Sequence, residues 1–275
     1  MCIRDSIYFN RETRVRVLTA LARNHAGIDV ASDKRSLIEA RIRPRMRALG
    51  MATPRDYLKV VLADPDGQER QHFIDAIATN VTGFFREPDH FEHLYWVLRA
   101  RVQRGARRLR LWSAACSTGQ EPYSMAMVAA DAASGQPVDV AVLATDISSK
   151  ALAEARAGRY EERDVAPVPL ALRHAHLRRC GDARDRTYEV GPVRGLVTFE
   201  SLNLVAPPYP VRGPFDVIFC RNVLIYFNRE TRVRVLTALA RLLDAEGILV
   251  VGHAEALTGL PVPLAPVTGT IYRRA

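Results

Sequence analysis

The stretch Leu109–Ser124, reading Leu-Arg-Leu-Trp-Ser-Ala-Ala-Cys-Ser-Thr-Gly-Gln-Glu-Pro-Tyr-Ser, leaves this chain few folds to choose from. Its apolar run, Leu109–Ala114, is that of a strand covered on both faces, as in a parallel sheet. The run gives way to the small residues Ala115-Cys116-Ser117-Thr118-Gly119 and then to a helical segment from Pro122. Pro122 suits a first helical turn, where its missing N–H costs nothing. Strand, tight loop and helix together present backbone N–H groups to a ligand at the strand's C-terminal end. The loop holds one glycine, so it is not the G-x-G-x-x-G dinucleotide fingerprint. Glu121 beside the turn disfavours a phosphate and favours a ligand that carries amine or hydroxyl donors.

Further strands follow the same plan. Val140–Asp146 is apolar and ends in an acid, where a Rossmann-like unit accepts hydrogen bonds from ribose hydroxyls. Phe215–Asn222 and Ile248–His253 are a third and a fourth strand, with helical stretches between them. Strands alternating with helices predict an α/β, doubly wound parallel sheet. A small loop plus a terminal acid, without a phosphate-binding glycine set, points to a nucleoside ligand such as S-adenosylmethionine.

At 275 residues and 48% apolar, the chain can bury one large core or two smaller ones. No apolar run approaches the roughly 20 residues of a membrane span, and no secretory signal is evident. Cys2, Cys116, Cys180 and Cys220 are isolated, without metal-ligand spacing. The expectation is no metal site, no structural disulfide and a cytoplasmic location. Ile7–Arg23 repeats Ile225–Arg241 without a single change. Structural repeats drift and usually recur, so residues 1–23 read as a chimeric or duplicated segment. Residues 24–78 then form a basic helical domain, and 79–275 form the ligand-binding domain, with a small insertion at about 173–197.

The net charge is +9, of which residues 1–23 carry +3. Much of the rest lies in Ala31–Lys59, where Lys34, Arg35, Arg41, Arg43, Arg45, Arg47, Arg55 and Lys59 face Asp33, Glu39 and Asp56. On a helix, Ile38, Ile42, Met46 and Leu49 would form an inward stripe flanked by Arg41, Arg43, Arg45 and Arg47, with a kink at Pro44. Such a stripe is either a solvated face or a surface for an anionic partner. Nucleic acid is disfavoured because no aromatic platform interleaves the arginines.

Five segments resemble the chemotaxis-receptor glutamate O-methyltransferases, the CheR family. They are Lys34–Gly50, Thr79–Glu87 (Thr-Asn-Val-Thr-Gly-Phe-Phe-Arg-Glu), Trp112–Tyr123, Phe215–Phe227 and Gly252-His253-Ala254-Glu255. The resemblance implies a Rossmann-like S-adenosylmethionine-dependent sheet with a small N-terminal all-helical domain and a β-hairpin insertion. It implies methyl transfer to receptor glutamates, with S-adenosylmethionine as cofactor. It places Asn80, Thr82 and Arg86 by the transferred methyl and Arg221, Asn222, Asn203 and Leu204 on the adenosine side. It also sets Tyr226 in the family's R-N-x-x-I-Y-F motif. The basic helix would then dock an acidic helical receptor bundle, and some family members hold the receptor's C-terminal peptide on the β-insertion. Neither a nucleic-acid partner nor a membrane span is implied.

The chemistry fits these residues. A glutamate carboxylate is already a nucleophile at neutral pH, so alignment and dehydration suffice and no general base is needed. Arg86, in an apolar setting beside Phe84-Phe85, requires an anion, either the methionyl carboxylate or the substrate glutamate. A neutral donor, Tyr226, is the better companion to the nucleophile. The candidate catalytic residues are therefore Arg86 and Tyr226. The cofactor set is Asn80, Thr82, Arg86, Glu121, Asp146, Asn203, Leu204, Arg221 and Asn222. His253 and Glu255 read as structural. A hairpin is expected from Arg186–Val190 through Gly191-Pro192 to Val193–Phe199, with Cys180-Gly181-Asp182 as a neighbouring turn. Two alternatives remain, a nucleic-acid methyltransferase and a cofactor-binding signalling module without turnover.

Overall fold

The computed structural model describes residues 11–29, 35–180 and 186–275. The start of the repeated segment, Lys34 and Gly181-Asp182 lie outside the described residues. Four helices come first: α1 (Arg11–Ala26), α2 (Arg35–Ala48), α3 (Pro54–Ala63) and α4 (Gln68–Ile77). They bury Leu18, Ile38, Ile42, Met46, Tyr57 and Phe73 against one another. Thr53 caps α3 by accepting the Asp56 N–H, and Pro54 occupies its first turn. Leu49 does not join the inward stripe; it lies just past the end of α2 and is 37% exposed. Pro44 sits inside α2 without ending it.

The remaining elements are α5 (Pro88–Gln103), β1 (Arg108–Ser113), α6 (Gln120–Ala132), β2 (Asp139–Asp146), α7 (Ser149–Ala157), β3 (Arg159–Glu161), α8 (Glu162–Val165) and α9 (Leu170–His176). They continue as β4 (Leu177–Cys180), β5 (Thr187–Val190), β6 (Val197–Ser201), β7 (Phe215–Phe219), α10 (Arg229–Leu242), β8 (Leu243–Val250), β9 (Leu264–Thr268) and β10 (Ile271–Arg274). The main sheet runs β6-β2-β1-β7-β8-β10-β9. Its first five strands are parallel, and β10 and β9 are antiparallel additions. Alternate strand residues feed opposite faces: Leu109, Leu111, Val217 and Phe219 pack under α5 and α6, and Trp112 and Ile218 pack under α10.

The expected hairpin pairs differently. Thr187–Val190 is the centre of a separate three-stranded antiparallel sheet, β3-β5-β4, and its hairpin partner is Leu177–Cys180. Pro192–Leu196 forms a short 3-10 turn, and Val197 onwards joins the main sheet beside β2. Phe199 packs on Tyr123 with ring centroids 5.5 Å apart, so burial in the large core outweighs the local hairpin.

The repeated sequence makes a helix in both places. Leu18, Leu21 and Ala22 of α1 are buried, as are their counterparts Leu236, Leu239 and Ala240 of α10. The end of α1 is tied to the sheet domain: Asn203 Nδ2 donates to the His25 carbonyl at 2.6 Å, and Asp29 N–H to the Tyr226 carbonyl at 2.8 Å. Gly27 has φ +69°, and a Cβ there would meet Val205 Cγ1 at 2.3 Å, so only glycine allows this approach.

Candidate active site

The chain leaves β1 and β7 towards opposite sides of the sheet, and a crevice opens at their C-terminal ends. A cleft fills it. Around it the structure brings together Asn80, Thr82, Arg86, Glu121, Asp146, Asn203, Leu204, Arg221, Asn222 and Tyr226. Ala26 and Ile28, at the end of α1, close one side.

The floor comes from the small-residue loop. Gly119 precedes α6 at φ +96°, and a Cβ there would strike Tyr160 Oη at 2.8 Å and Ala155 Cβ at 2.9 Å. Ser117, at φ 49°, turns its N–H onto Asp146 Oδ2 at 2.7 Å, and its hydroxyl donates to the Asn80 carbonyl at 3.0 Å. Asp146 Oδ1 accepts the Ser148 N–H at 2.9 Å. Burial nevertheless pushes the Asp146 carboxyl above its ordinary pKa, against those two N–H bonds. A pair of ribose hydroxyls would complete its solvation, so a nucleoside fits.

Glu121 lies deeper. Its Oε1 accepts the Ser113 hydroxyl at 2.7 Å and its Oε2 accepts Arg221 Nη1 at 3.1 Å. Burial pushes its carboxyl upward, with Arg221 opposing. Arg221 itself is buried beneath the cleft wall. Its Nη2 reaches Glu87 Oε2 at 3.0 Å and the Arg86 carbonyl, while the guanidinium lies over Phe219 and Phe91. This side chain holds the wall together, which its expected place on the adenosine side did not convey. Asn203 likewise spends both ends of its amide internally, on His25 and on the Val205 N–H at 3.1 Å.

Arg86 and Tyr226 are different. Arg86 is exposed, not in an apolar setting. Its Nη1 donates to the Val81 carbonyl at 2.9 Å, and among the described residues no carboxylate pairs with it. The Tyr226 hydroxyl makes no hydrogen bond among the described residues, whereas those of Tyr123, Tyr160 and Tyr209 all donate to carbonyls.

The sequence did not single out Glu87. Its Oε1 accepts from Asn222 Nδ2 at 3.2 Å, and its Oε2 accepts from Arg221 and from the His253 N–H at 3.1 Å. Burial alone would raise its pKa, but the bonds from Asn222 and Arg221 hold it below the usual value. Its signal was there to read: an acid between a candidate arginine and a helix-starting proline. Glu87, His90 and His253 also place ligating atoms within 4.8 Å of one another, a grouping hidden by its spacing in sequence. Each is engaged: Glu87 as above, His90 Nε2 with Thr270 Oγ1 at 2.7 Å, and His253 Nε2 with Asp89 Oδ2 at 3.0 Å. Glu255, 1% exposed, accepts the N–H groups of Gly252, Asn222 and Ile225.

The basic helix is partly used internally. Arg45 pairs with Glu69, Nη2 to Oε2 at 2.6 Å, and Arg41 donates to the Ile77 carbonyl and to Thr79 Oγ1 at 3.1 Å. Arg43 and Arg47 stay exposed and border a groove with Met51 and Pro54. The i, i+4 pattern placed all four on the flanks but could not say which ones α4 would cover.

A doubly wound sheet with an acid ending its second strand and a small-residue loop ending its first is the frame of an S-adenosylmethionine-dependent methyltransferase. Residues 80–273 match the family described as CheR methyltransferase, SAM binding domain, and residues 15–78 match CheR methyltransferase, all-alpha domain. The chain belongs to the CheR methyltransferase family. It is 37% identical over 262 residues to a chemotaxis protein methyltransferase of Salmonella typhimurium, covering 95% of this chain and 90% of that one. Chemotaxis protein methyltransferase 2 of Pseudomonas aeruginosa is 36% identical over 273 residues, 98% and 96% of the two chains. The Escherichia coli relative of the same description is 37% identical over 245 residues, 89% and 84%.

Proposed function

We propose that this chain esterifies glutamate side chains of chemotaxis receptors with the methyl group of S-adenosylmethionine, the covalent mark of sensory adaptation. One observation carries this: the cleft offers an unpaired guanidinium and a free phenol, but among its described lining residues no histidine, lysine or cysteine. Glu121 and Asp146 are buried and already hydrogen-bonded. An acceptor that needs deprotonation, such as an amine or hydroxyl, would find no ready base. A carboxylate needs none.

When bound, S-adenosylmethionine supplies an electrophilic methyl group on a sulfonium. Asp146 would receive its ribose hydroxyls and Asn80, Thr82, Leu204 and Asn222 would border it. Arg86 would hold a carboxylate, and Tyr226 would donate a neutral hydrogen bond that aligns the nucleophile without quenching it. The receptor's acidic helical bundle would meet Arg43 and Arg47 of α2. The outer edge of β4, unpaired among the described residues, suits a receptor C-terminal peptide added as a further strand. No helix among the described residues is long and apolar enough to cross a membrane, and the receptor's cytoplasmic portion is the proposed target.

The test is incubation with methyl-labelled S-adenosylmethionine and either receptor membranes or RNA. Label should appear on receptor and leave as methanol in mild alkali. Alkali-stable label, or label on RNA, would refute glutamate esterification; binding without any transfer would leave a signalling module.

A further inference from the structure

We propose that Glu87 is a positioning residue: its carboxylate clasps the loop carrying Arg86 to the loop carrying Asn222, and so sets where the Arg86 guanidinium stands in the cleft. This rests on Arg86 being the cation that holds a carboxylate there.

Arg86 is bracketed by two residues in the left-handed region, Phe85 at φ 51° and Glu87 at φ 60°, and Asn222 across the wall is a third, at φ 56°. Non-glycine residues adopt that conformation only where their surroundings hold them in it. Phe85 is held by the core: its N–H donates to Ser124 Oγ at 3.1 Å, and its ring packs on Phe91 at 5.0 Å. On the other side of Arg86 the carboxylate of Glu87 takes that part. It gathers Asn222 Nδ2, Arg221 Nη2 and the His253 N–H, three donors from two other loops. Arg221 returns along the same route to the Arg86 carbonyl. An acid at the start of a helix ordinarily caps that helix. Glu87 precedes α5 yet makes no side-chain cap bond; besides the His90 ring at 3.4 Å, its carboxylate turns to the donors of the cleft wall.

The experiment is a double-mutant cycle of Glu87→Gln with Arg86→Ala, read as kcat for receptor methylation. Affinity for S-adenosylhomocysteine and the thermal midpoint are recorded beside it. Glu87→Gln should lower kcat about tenfold in the wild-type background and less than about twofold once Arg86 is alanine, because coupled residues are non-additive. Glu87→Gly, which takes up φ 60° without strain, should fold and show the same loss. The same tenfold loss in both backgrounds, or full kcat in both Glu87 variants, overturns the proposal while leaving Arg86 in its role. Wild-type turnover in Arg86→Ala overturns that role, and the proposal with it.

Discussion

At the scale of residues, the site divides into groups that are satisfied and groups that wait. Tyr226 waits: its ring is half-buried at the cleft and its hydroxyl has no partner among the described residues. Tyr226→Phe should lower kcat about ten- to a hundredfold, the roughly 1.4–2.7 kcal/mol of one aligning hydrogen bond. Calorimetry should find S-adenosylmethionine affinity nearly intact, and an equal loss of affinity would move Tyr226 to the cofactor. His90 is the opposite case. Burial first, then the Arg221 charge, pushes its pKa down from 6.5 to about 4, with Asp89 and Glu87 opposing and His253 adding to the fall. Between pH 6.5 and 4 the unfolded chain takes up a proton that the folded chain refuses, so stability drops as pH falls through that window. His93 and His176 shift in the same direction. A series of thermal midpoints against pH should therefore show a shallower acid slope in His90→Gln, and an unchanged slope would clear His90 of the effect.

At the scale of elements, α2 holds two kinds of arginine that one period could not tell apart. Arg45→Glu sets two acids face to face at the α2–α4 contact and should destabilise the fold by about 3 kcal/mol, as broken partly buried ion pairs do. Arg43→Glu with Arg47→Glu should leave the melting temperature nearly alone. It should raise the KM for receptor, more strongly at low salt, and unchanged receptor kinetics would make this a solvated face. Elements with a strong local signature were legible in the sequence: the apolar strands, the turn after β1 and the acid ending β2. What was not legible was decided by distant partners. Val197–Phe199 reads as the second arm of a hairpin, but β2 and the core beneath Tyr123 offer it more burial than β5 does. Glu69, 24 residues from Arg45, and the Ile77 carbonyl and Thr79 that receive Arg41 decide which arginines face solvent.

At the scale of the whole molecule, Glu121, Asp146, Asn203, Leu204, Arg221, Asn222 and Tyr226 converge because parallel strands all end on one side, whereas Asn80, Thr82 and Arg86 reach the cleft on the segment between α4 and α5. The roles of Arg221, Asn203 and Glu87 depend on which side chains meet across loops, and no local pattern encodes that. Consider finally the thirteen residues Arg11–Arg23 and Arg229–Arg241, alike letter for letter, with Leu18, Leu21 and Ala22 buried in one as Leu236, Leu239 and Ala240 are in the other. To a collapsing chain they are interchangeable guests for two grooves, one in the helical layer and one against the sheet. Nothing inside either copy tells the grooves apart, which is frustration of a kind natural sequences avoid. Discrimination falls to the residues just beyond each copy: after Arg241 the chain must run at once into β8, and after Arg23 it must reach Gly27 and turn against Val205 and Phe227. The glycine that shapes one wall of the cleft is thus also the address label that sends α1 to its own seat.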